Sequence, residues 1–240
     1  MNERYTRQIQ IPQIGNEGQK KLGRSSVLVV GAGGLGCPII TYLASAGVGR
    51  IGIADSDTVA LSNLNRQFLH NTNDIGRPKT DSAKEKISGL NNEIKILTFA
   101  EHLNETNASN IINGYDIVLG AVDSFETRFI INKTCVKLSI PYIDGGINGF
   151  CGSIFFSNPP LTPCLNCIYP QTPAKKEVPD TTSALGTTAG VTGTIEANIA
   201  LIYLLGLPNP AFNKLLLYDG FRMIIDHIEI KQNESCLVCN

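Results

Sequence analysis

The sequence predicts an α/β fold, namely a Rossmann-like, doubly wound and mainly parallel sheet that is extended by antiparallel strands and tied near its C-terminal end by four cysteines. Three observations predict it. Ser26–Asp57 reads as strand, glycine turn, helix and second strand, strand-like and helix-like segments alternate after it, and two Cys-x-x-C pairs stand in the last third of the chain. The first of these three segments organises the rest of the fold.

The glycine turn follows a short apolar run, Val27–Val30, of the kind that forms a buried parallel strand. Gly31, Gly33 and Gly36 have the G-x-G-x-x-G spacing, which permits a tight turn, the approach of backbone N–H groups to a phosphate, and close packing of helix on strand. The predicted helix Leu35–Ala46 directs its unpaired N–H donors at that phosphate. This pattern predicts a nucleotide site without identifying the nucleotide.

The second strand of this unit is predicted at Arg50–Ala54 and ends on a pair of carboxylates, Asp55 and Asp57. Asp55 follows the glycines at about the twenty-residue distance at which an acid commonly holds the ribose hydroxyls of a nucleotide. The crossover after Asp57 is long and irregular, and structureless connections of this length tend to be functional.

The remaining segments continue the alternation of helices and strands. An arm, residues 1–24, carries the sequence RYTRQ and a short predicted helix, Glu17–Leu22. On composition alone such an arm is expected to be solvated and without a function. The later predictions are helices at Lys79–Leu90, Glu105–Asn113, Glu126–Leu138 and Thr188–Leu205, and strands at Ile94–Phe99, Tyr115–Val122, Pro141–Ile143, Leu215–Tyr218 and Met223–Ile230, the last two antiparallel.

Composition limits the function classes. The chain has 240 residues and a formal net charge of −1, so no broad basic surface indicates nucleic acid or anionic lipid. The start of the chain has no apolar signal core, and the longest apolar stretch, Ile195–Leu207, contains Glu196 and is too short to span a bilayer. We therefore expect one cytoplasmic domain that binds neither nucleic acid nor membrane.

The two Cys-x-x-C pairs are the strongest metal signal. Cys164 and Cys167 form one pair, and Cys236 and Cys239 the other. Four thiolates are the ligand set of a closed, tetrahedral structural zinc site, whereas two disulfides or free thiols are the alternative. No ligand position stays open in such a site, so zinc would join two parts of the chain rather than catalyse.

A second group of residues indicates a triphosphate with its metal ion. The members are Asp55, Asn63, Arg66, Lys79 and Asp123. A triphosphate with magnesium needs several cations and a carboxylate, and Asp123 follows a predicted strand whose carboxyl end faces the crevice where ligands bind in such sheets. For each residue alone, a surface ion pair is the ordinary alternative.

The run GAGGLGCPIITYLASAGVGRIGIADSDTVALSNLNRQFLHNTNDIGRPK resembles the core of the ThiF/MoeB/HesA family, the bacterial relatives of ubiquitin-activating enzymes. RYTRQ, AVDSFETR and the two Cys-x-x-C pairs match as well, so the resemblance covers nearly the whole chain. It implies a single adenylation domain, residues 1–240, with an ATP-binding half at 25–145 and an acceptor-binding half at 146–240 that holds the zinc site and a mobile loop, 168–188.

The resemblance also implies roles for single residues. Asp55 would hold the ribose of ATP, Asn63, Arg66 and Lys79 would line its phosphates, and Asp123 would bind magnesium. Arg7 would reach from one subunit into the site of its partner, which implies a homodimer. The full set implied for the nucleotide comprises Gly31, Gly33, Gly34, Gly36, Asp55, Asp57, Asn63, Arg66 and Lys79, with Arg7, Arg66, Lys79 and Asp123 taking part in catalysis.

The reaction that the resemblance implies is adenylation of the C-terminal glycine carboxylate of a small ubiquitin-like sulfur carrier of the ThiS/MoaD type, ending in Gly-Gly, with release of pyrophosphate. Relatives generally carry a cysteine in the loop before the long helix. Here the stretch VPDTTSALGTTAG, which includes Pro179, Asp180, Thr181 and Thr182, has none. We therefore expect an adenylating enzyme whose product is used by a separate sulfur donor.

Three other functions remain open on the sequence. An NAD-dependent oxidoreductase would use the same glycines and Asp55, although no Tyr-x-x-x-Lys pair or other proton-transfer residue is evident. The acceptor could instead be a peptide or an RNA-linked carboxylate. A zinc-containing scaffold that senses nucleotides would bind ATP without turnover.

Overall fold

The computed structural model describes residues 3–170 and 183–240. Its centre is one eight-stranded sheet of order β3-β2-β1-β4-β5-β6-β7-β8. The strands are β1 (Ser26–Val30), β2 (Arg50–Ala54), β3 (Lys95–Phe99), β4 (Ile117–Gly120), β5 (Tyr142–Asn148), β6 (Cys151–Ser157), β7 (Lys214–Asp219) and β8 (Ile224–Glu229). The first five strands are parallel and the last three pair antiparallel, which confirms the predicted extension of a parallel sheet.

Helices cover both faces of the sheet, as the doubly wound prediction requires. The helices are α1 (Thr6–Ile9), α2 (Gly15–Arg24), α3 (Gly36–Ser45), α4 (Lys79–Leu90), α5 (Ala108–Ile112), α6 (Phe125–Leu138), α7 (Leu165–Ile168) and α8 (Gly186–Leu205). One core joins α3, α4 and α8 to one face, and a second core joins α5, α6 and α7 to the other. Alternate residues of β1 serve the two cores, since Val27 and Val29 belong to the first and Leu28 and Val30 to the second.

Most predicted elements form with small shifts of their ends. The predicted helix Leu35–Ala46 is observed at Gly36–Ser45, and the strand predicted at Tyr115–Val122 is shorter, at Ile117–Gly120. The strand expected to start at Pro141–Ile143 continues to Asn148 and turns into β6, which the sequence reading did not identify. Glycines at 145, 146, 149 and 152 interrupt the alternation of apolar residues in this hairpin, so its strand pattern was not evident from the sequence.

Helix α8 is the longest helix of the described chain and is largely apolar. By length and composition alone it could cross a membrane. In the fold it packs against α3 and against strands β5 and β6, and it contributes Ala197, Ile199 and Ala200 to the first core. It therefore has the environment of a core helix, as predicted for this stretch.

The arm packs on the protein through its first helical turns. Tyr5 is buried, and its hydroxyl accepts a hydrogen bond from Asn91 Nδ2 at 2.8 Å. Gln8 Nε2 donates to the carbonyl oxygen of Ala46 at 3.0 Å, at the C-terminal end of α3. The arm is thus ordered on the core, which its composition did not indicate.

The division into a nucleotide half and an acceptor half stays a prediction. The predicted loop 168–188 falls only partly on described residues, because 171–182 are not among them. On either side, α7 ends at Ile168 and α8 begins at Gly186. Pro179, Asp180, Thr181 and Thr182 lie outside the described residues.

Candidate functional site

A cavity of about 570 Å³ opens where the parallel strands end and α3 and α6 begin. Gly31, Gly33 and Gly34 line one wall, Asp123 and Ser124 line the middle, and Asn148 and Ser153 line the far side. The cavity therefore runs across the carboxyl edge of the sheet, from the glycine turn to the antiparallel hairpin. This edge is where open α/β sheets bind their ligands.

The glycine turn needs its glycines at two points. Gly31 has a φ of +102°, and a Cβ there would collide with the carbonyl of Ala121. A Cβ on Gly36 would collide with the carbonyl of Gly31, so Gly36 lets the helix pack against the turn, as its spacing predicts. Gly33 and Gly34 face the cavity, and Gly36 lies behind them.

A buried histidine, His70, forms a hydrogen bond with the backbone of the glycine turn. His70 Nε2 lies 3.0 Å from the carbonyl oxygen of Ala32, and its Nδ1 lies 2.9 Å from Ser82 Oγ. Because a carbonyl only accepts, Nε2 carries the proton and Ser82 donates to Nδ1. Burial lowers the pKa of His70, so the neutral ring that this pattern needs is favoured.

Asp55 lies at the end of β2 beside the glycine turn. Its Oδ2 accepts the backbone N–H of Ala32 at 2.7 Å, and its Oδ1 accepts that of Asp57 at 2.8 Å. Asp57 in turn accepts a hydrogen bond from Lys79 Nζ at 2.8 Å. The Lys79 side chain is only 6% exposed while that of Asp57 is 67% exposed, so the ammonium is held inside the cavity wall.

The structure brings most of the predicted nucleotide residues to this cavity. Arg66, Lys79 and Asp123 line it together with Asp55 and Asp57. Arg66 Nη1 donates to the carbonyl oxygen of Ser62 at 3.0 Å and to Asn65 Oδ1 at 2.9 Å, which holds its guanidinium against the crossover.

Besides Gly36, two predicted residues do not line the cavity of their own chain. Asn63 Oδ1 accepts the backbone N–H of Ala60 at 3.2 Å, so in the described structure it caps a turn of the crossover and does not line the cavity. Arg7 is exposed on α1, next to the Gln8 that bonds the C-terminal end of α3. The cavity lies at the other end of α3, about 15 Å away for a ten-residue helix.

A buried ion pair that was not predicted from the sequence lies at the middle of the cavity. Arg128, on α6, donates from Nε to Asp144 Oδ1 at 2.8 Å and from Nη2 to Asp144 Oδ2. Tyr142 Oη also donates to Asp144 Oδ1, at 2.6 Å. Burial alone would lower the pKa of Arg128, but the bonds and charge of Asp144 outweigh it and raise that pKa. The sequence offered one indication of this role: Arg128 is the last residue of AVDSFETR and lies in the first turn of α6, shortly after Asp123.

A second buried acid packs against β5 on the face opposite to Asp144. Glu196, on α8, is fully buried against Gly145, and neither carboxyl oxygen has a hydrogen-bond partner in the described part of the chain. Burial raises its pKa well above the usual range, and the charge of Asp144 adds to the effect. This shift favours the neutral form of Glu196, while Asp144 accepts the paired hydrogen bonds of Arg128.

The four predicted metal ligands come together at the end of the chain. The sulfur atoms of Cys164 and Cys236 are 3.7 Å apart, those of Cys167 and Cys239 are 3.5 Å apart, and all four lie within 4.8 Å of one another. Tetrahedral zinc with bonds of about 2.3 Å places its sulfurs about 3.8 Å apart, so the four residues fit that ion.

The surroundings of the cluster also suit thiolates. The backbone N–H of Asn233 points at the sulfur of Cys167 at 3.4 Å, and Asn132 on α6 accepts the N–H of Leu165 at 2.9 Å. The cluster thus joins α7 to the C-terminal residues and, through Asn132, to α6. It lies apart from the residues that line the cavity.

The three other cysteines differ in access. Cys37 and Cys135 are buried in the two cores, and burial raises the pKa of the Cys37 thiol to about 12. Cys151 is exposed and lines the far side of the cavity. Buried thiols of this kind are inert, so Cys37 and Cys135 have packing roles.

A glycine turn at a helix N-terminus, an acid on the next strand and a cavity across the carboxyl edge define a nucleotide-binding protein of the doubly wound α/β class. The chain belongs to the ThiF family, whose model matches residues 5–238.

The relatives carry informative names. The chain is 40% identical over 244 residues to a "Sulfur carrier protein adenylyltransferase" of Thermus thermophilus, covering 99% of this chain and 90% of that protein. It is also 40% identical to an "Adenylyltransferase and sulfurtransferase MOCS3" of Culex quinquefasciatus, of which it spans 55%. Among solved structures, E. coli MccB with ATP superimposes with a TM-score of 0.88 at 25% identity, over 99% of this chain and 75% of MccB.

Proposed function

We propose that this protein is an adenylyltransferase that transfers AMP from ATP to the C-terminal glycine carboxylate of a small ubiquitin-like sulfur carrier of the ThiS/MoaD type and releases pyrophosphate. The observation that carries the proposal is the single cavity in which the glycine turn, Asp55, Arg66, Lys79 and Asp123 meet. The similarity to a sulfur carrier protein adenylyltransferase supports the acceptor class.

ATP would lie along the cavity from Asp55 to Asp123. Asp55 lines the cavity and would accept hydrogen bonds from the ribose hydroxyls, and the N–H groups at the start of α3 would bind the phosphates beside Gly33 and Gly34. Lys79 would move its hydrogen bonds from Asp57 towards the phosphates. A solved MccB structure with ATP supports this use of the fold.

The charges lining the cavity support a metal ion. Among the described lining residues three are basic (Arg66, Lys79 and Arg128) and four are acidic (Asp55, Asp57, Glu101 and Asp123), a sum of −1. A triphosphate and a carboxylate would repel each other and this lining unless further positive charge arrived. Asp123 would hold magnesium there, a hard cation that takes carboxylate and phosphate oxygens. When bound, magnesium supplies positive charge to the phosphates.

The attacking carboxylate is ionised at neutral pH and needs no general base. The protein would therefore contribute by positioning the two reactants and by stabilising negative charge. Arg66 and Lys79 would stabilise the charge that develops on the transferred and leaving groups. The acyl-adenylate would then pass to a separate sulfur donor, since no cysteine stands between residues 178 and 190. We also propose a cytoplasmic location, where the four clustered thiols would stay reduced and metal-binding.

We expect a carrier of this type, incubated with the protein, ATP and magnesium, to gain the mass of one AMP by intact mass spectrometry. The mass should disappear after hydroxylamine, which attacks acyl-adenylates, and the same carrier without its last glycine is the control. A carrier that stays unmodified while ATP binds would favour a nucleotide-sensing scaffold. A change in nicotinamide absorbance with a reducible substrate would favour the oxidoreductase instead, although the relatives named above are adenylyltransferases.

A homodimer with shared sites would bring Arg7 to the cavity of the partner. The support is negative charge in the cavity lining together with an exposed Arg7 that lies outside its own chain's cavity. We expect Arg7→Ala and Lys79→Met variants to be nearly inactive alone and to regain up to about a quarter of wild-type AMP transfer when mixed as subunits. The estimate follows because half of the dimers are mixed and each holds one intact site of two.

Mixing must be preceded by subunit exchange, which native mass spectrometry of differently tagged chains would follow. The matched control mixes Arg4→Ala with Lys79→Met. If both single variants are inactive, exchange is complete and the mixture gains no activity, Arg7 acts within its own chain. An Arg7→Ala variant that is as active as wild type would show that Arg7 takes no part.

A second acceptor class, a peptide, is favoured by the fold-wide similarity to MccB, which has been solved in complex with MccA. An RNA-linked carboxylate stays an alternative of the same reaction type. Both predict that the ubiquitin-like carrier stays unmodified in the experiment above, which separates them from the main proposal. AMP transfer to another carboxylate would then separate them from the nucleotide-sensing scaffold.

A further inference from the structure

We propose that Arg128 binds the terminal carboxylate of the acceptor, and that Asp144 and Tyr142 hold its guanidinium in position for this. The inference rests on the proposed function, because it assigns a contact within the same cavity. Arg128 was not among the residues predicted from the sequence. Its ion pair with Asp144 alone would suggest a purely structural role.

The inner edge of the guanidinium is fully used. Nε and Nη2 of Arg128 bond the two oxygens of Asp144, and Tyr142 donates a third hydrogen bond to that carboxylate. Such paired bonds fix the plane of the guanidinium as well as its position. The ring of Phe125, with its centroid 4.6 Å from the Arg128 Cζ atom, covers one face of that plane.

The outer edge of the guanidinium is available. No hydrogen bond of Nη1 is found among residues 3–170 and 183–240. Nη1 and Nη2 both lie 3.3 Å from the position that a Cβ on Gly146 would occupy, and Gly146 lines the cavity. The absence of a side chain at Gly146 therefore leaves room for a ligand atom next to the guanidinium.

The position of Arg128 suits the attacking group better than the phosphates. Arg66 and Lys79 stand at the end of the cavity next to the glycine turn, whereas Arg128 stands beside β5 and β6. Among the described residues on that side, which include Asn148, Cys151, Ser153 and Leu217, Arg128 is the basic one. A carboxylate that enters opposite the leaving pyrophosphate comes from this side, and a charge-assisted bond is the interaction that would hold it.

The test compares two forms of one carrier. A ThiS-type carrier protein is prepared with its natural C-terminal carboxylate and, by aminolysis of an intein thioester, with a C-terminal amide that lacks the charge. Binding of both is measured by calorimetry with magnesium and the ATP analogue AMPCPP, which cannot transfer AMP. We expect the wild-type protein to bind the acid about 30-fold more tightly than the amide, in the range of a hydrogen bond to a charged group.

Arg128→Gln should reduce this ratio to about 1–3. Because this change leaves Asp144 buried without its partner, the chain could fail to fold, and the double variant Arg128→Gln with Asp144→Asn removes both charges and keeps the measurement possible. Arg128→Lys should restore part of the ratio. Lys137→Gln, an exposed change in the last turn of the same helix, is the matched control and should keep the wild-type ratio.

The affinity for AMPCPP separates this role from a structural one. We expect it to stay within about threefold of wild type in the double variant, because the contact belongs to the acceptor. An unchanged acid-to-amide ratio in the double variant overturns the inference, as does a loss of AMPCPP affinity equal to the loss of carrier affinity. If wild type neither binds carrier nor transfers AMP to it, the proposed function fails; if it does both and the ratio is unaffected, only the role of Arg128 fails.

Discussion

Replacing Lys79 with methionine is expected to slow AMP transfer, measured as kcat/KM, by about 10²- to 10³-fold, the size of effect found when one preorganised charge is removed from an active site. The side chain is 6% exposed and already reaches 2.8 Å from Asp57, so its ammonium is held at the cavity before ATP arrives. Methionine keeps a similar length and volume while removing the charge.

Pyrophosphate exchange into ATP and direct AMP transfer to the carrier both measure this change. The matched control is Lys84→Met, an exposed position on the same helix, where the rate should stay within about twofold of wild type. A thermal unfolding scan of both variants checks that the fold is intact. If Lys79→Met transferred AMP at the wild-type rate, ATP would have to bind elsewhere or in another orientation, and the proposed site would be wrong.

The second large effect is expected on stability, when zinc is withdrawn from the four cysteines. The purified protein should contain one zinc per chain, and a strong chelator should lower its unfolding temperature by roughly 10 °C. A shift of this size corresponds to the loss of an ion whose dissociation constant is about 1,000-fold lower than its free concentration. The cause is that Cys236 and Cys239 would lose their connection to α7, and through it to α6.

Elemental analysis and differential scanning calorimetry test this expectation. The double variant Cys236→Ser with Cys239→Ser should lack zinc and unfold early without a chelator, while Cys151→Ser, outside the cluster, should behave as wild type. A metal-free wild type with the same unfolding temperature would show that the cluster does not hold a structural ion. Residual AMP transfer by the zinc-free protein at low temperature is expected, since the cluster is separate from the cavity.

The parallel half of the fold could be predicted because its patterns are local. Val27–Val30, the glycines and the helix after them follow one another within a few residues, so each can be recognised from a short stretch of sequence. The hairpin of β5 and β6 could not be predicted in the same way. Its pairing joins Tyr142 to Ser157 and Asn148 to Cys151 across a turn, and glycines interrupt both apolar runs.

The candidate site was predictable where a residue stands at a strand end, as Asp55 and Asp123 do. Arg128 and Asp144 were not predictable, because their significance lies in mutual burial between a helix and a strand 16 residues apart. Asn63 shows the opposite case. The family resemblance implied that Asn63 lines the phosphates, yet its side chain caps a turn of the crossover. It implied that Arg7 acts in the site of the partner subunit, and a position outside its own chain's cavity leaves that prediction untested.

The two N–H groups that hold Asp55 also have a consequence for affinity. Both oxygens of this carboxylate are fixed by the backbone of Ala32 and Asp57, so its rotamer is selected when the chain folds rather than when a nucleoside arrives. A flexible acid would lose conformational entropy on meeting a sugar, and Asp55 has little left to lose. If Asp55 holds the ribose as proposed, sugar recognition at this position would be rigid, because the fixed carboxylate would not change rotamer to reach hydroxyls displaced by rotation of the sugar ring.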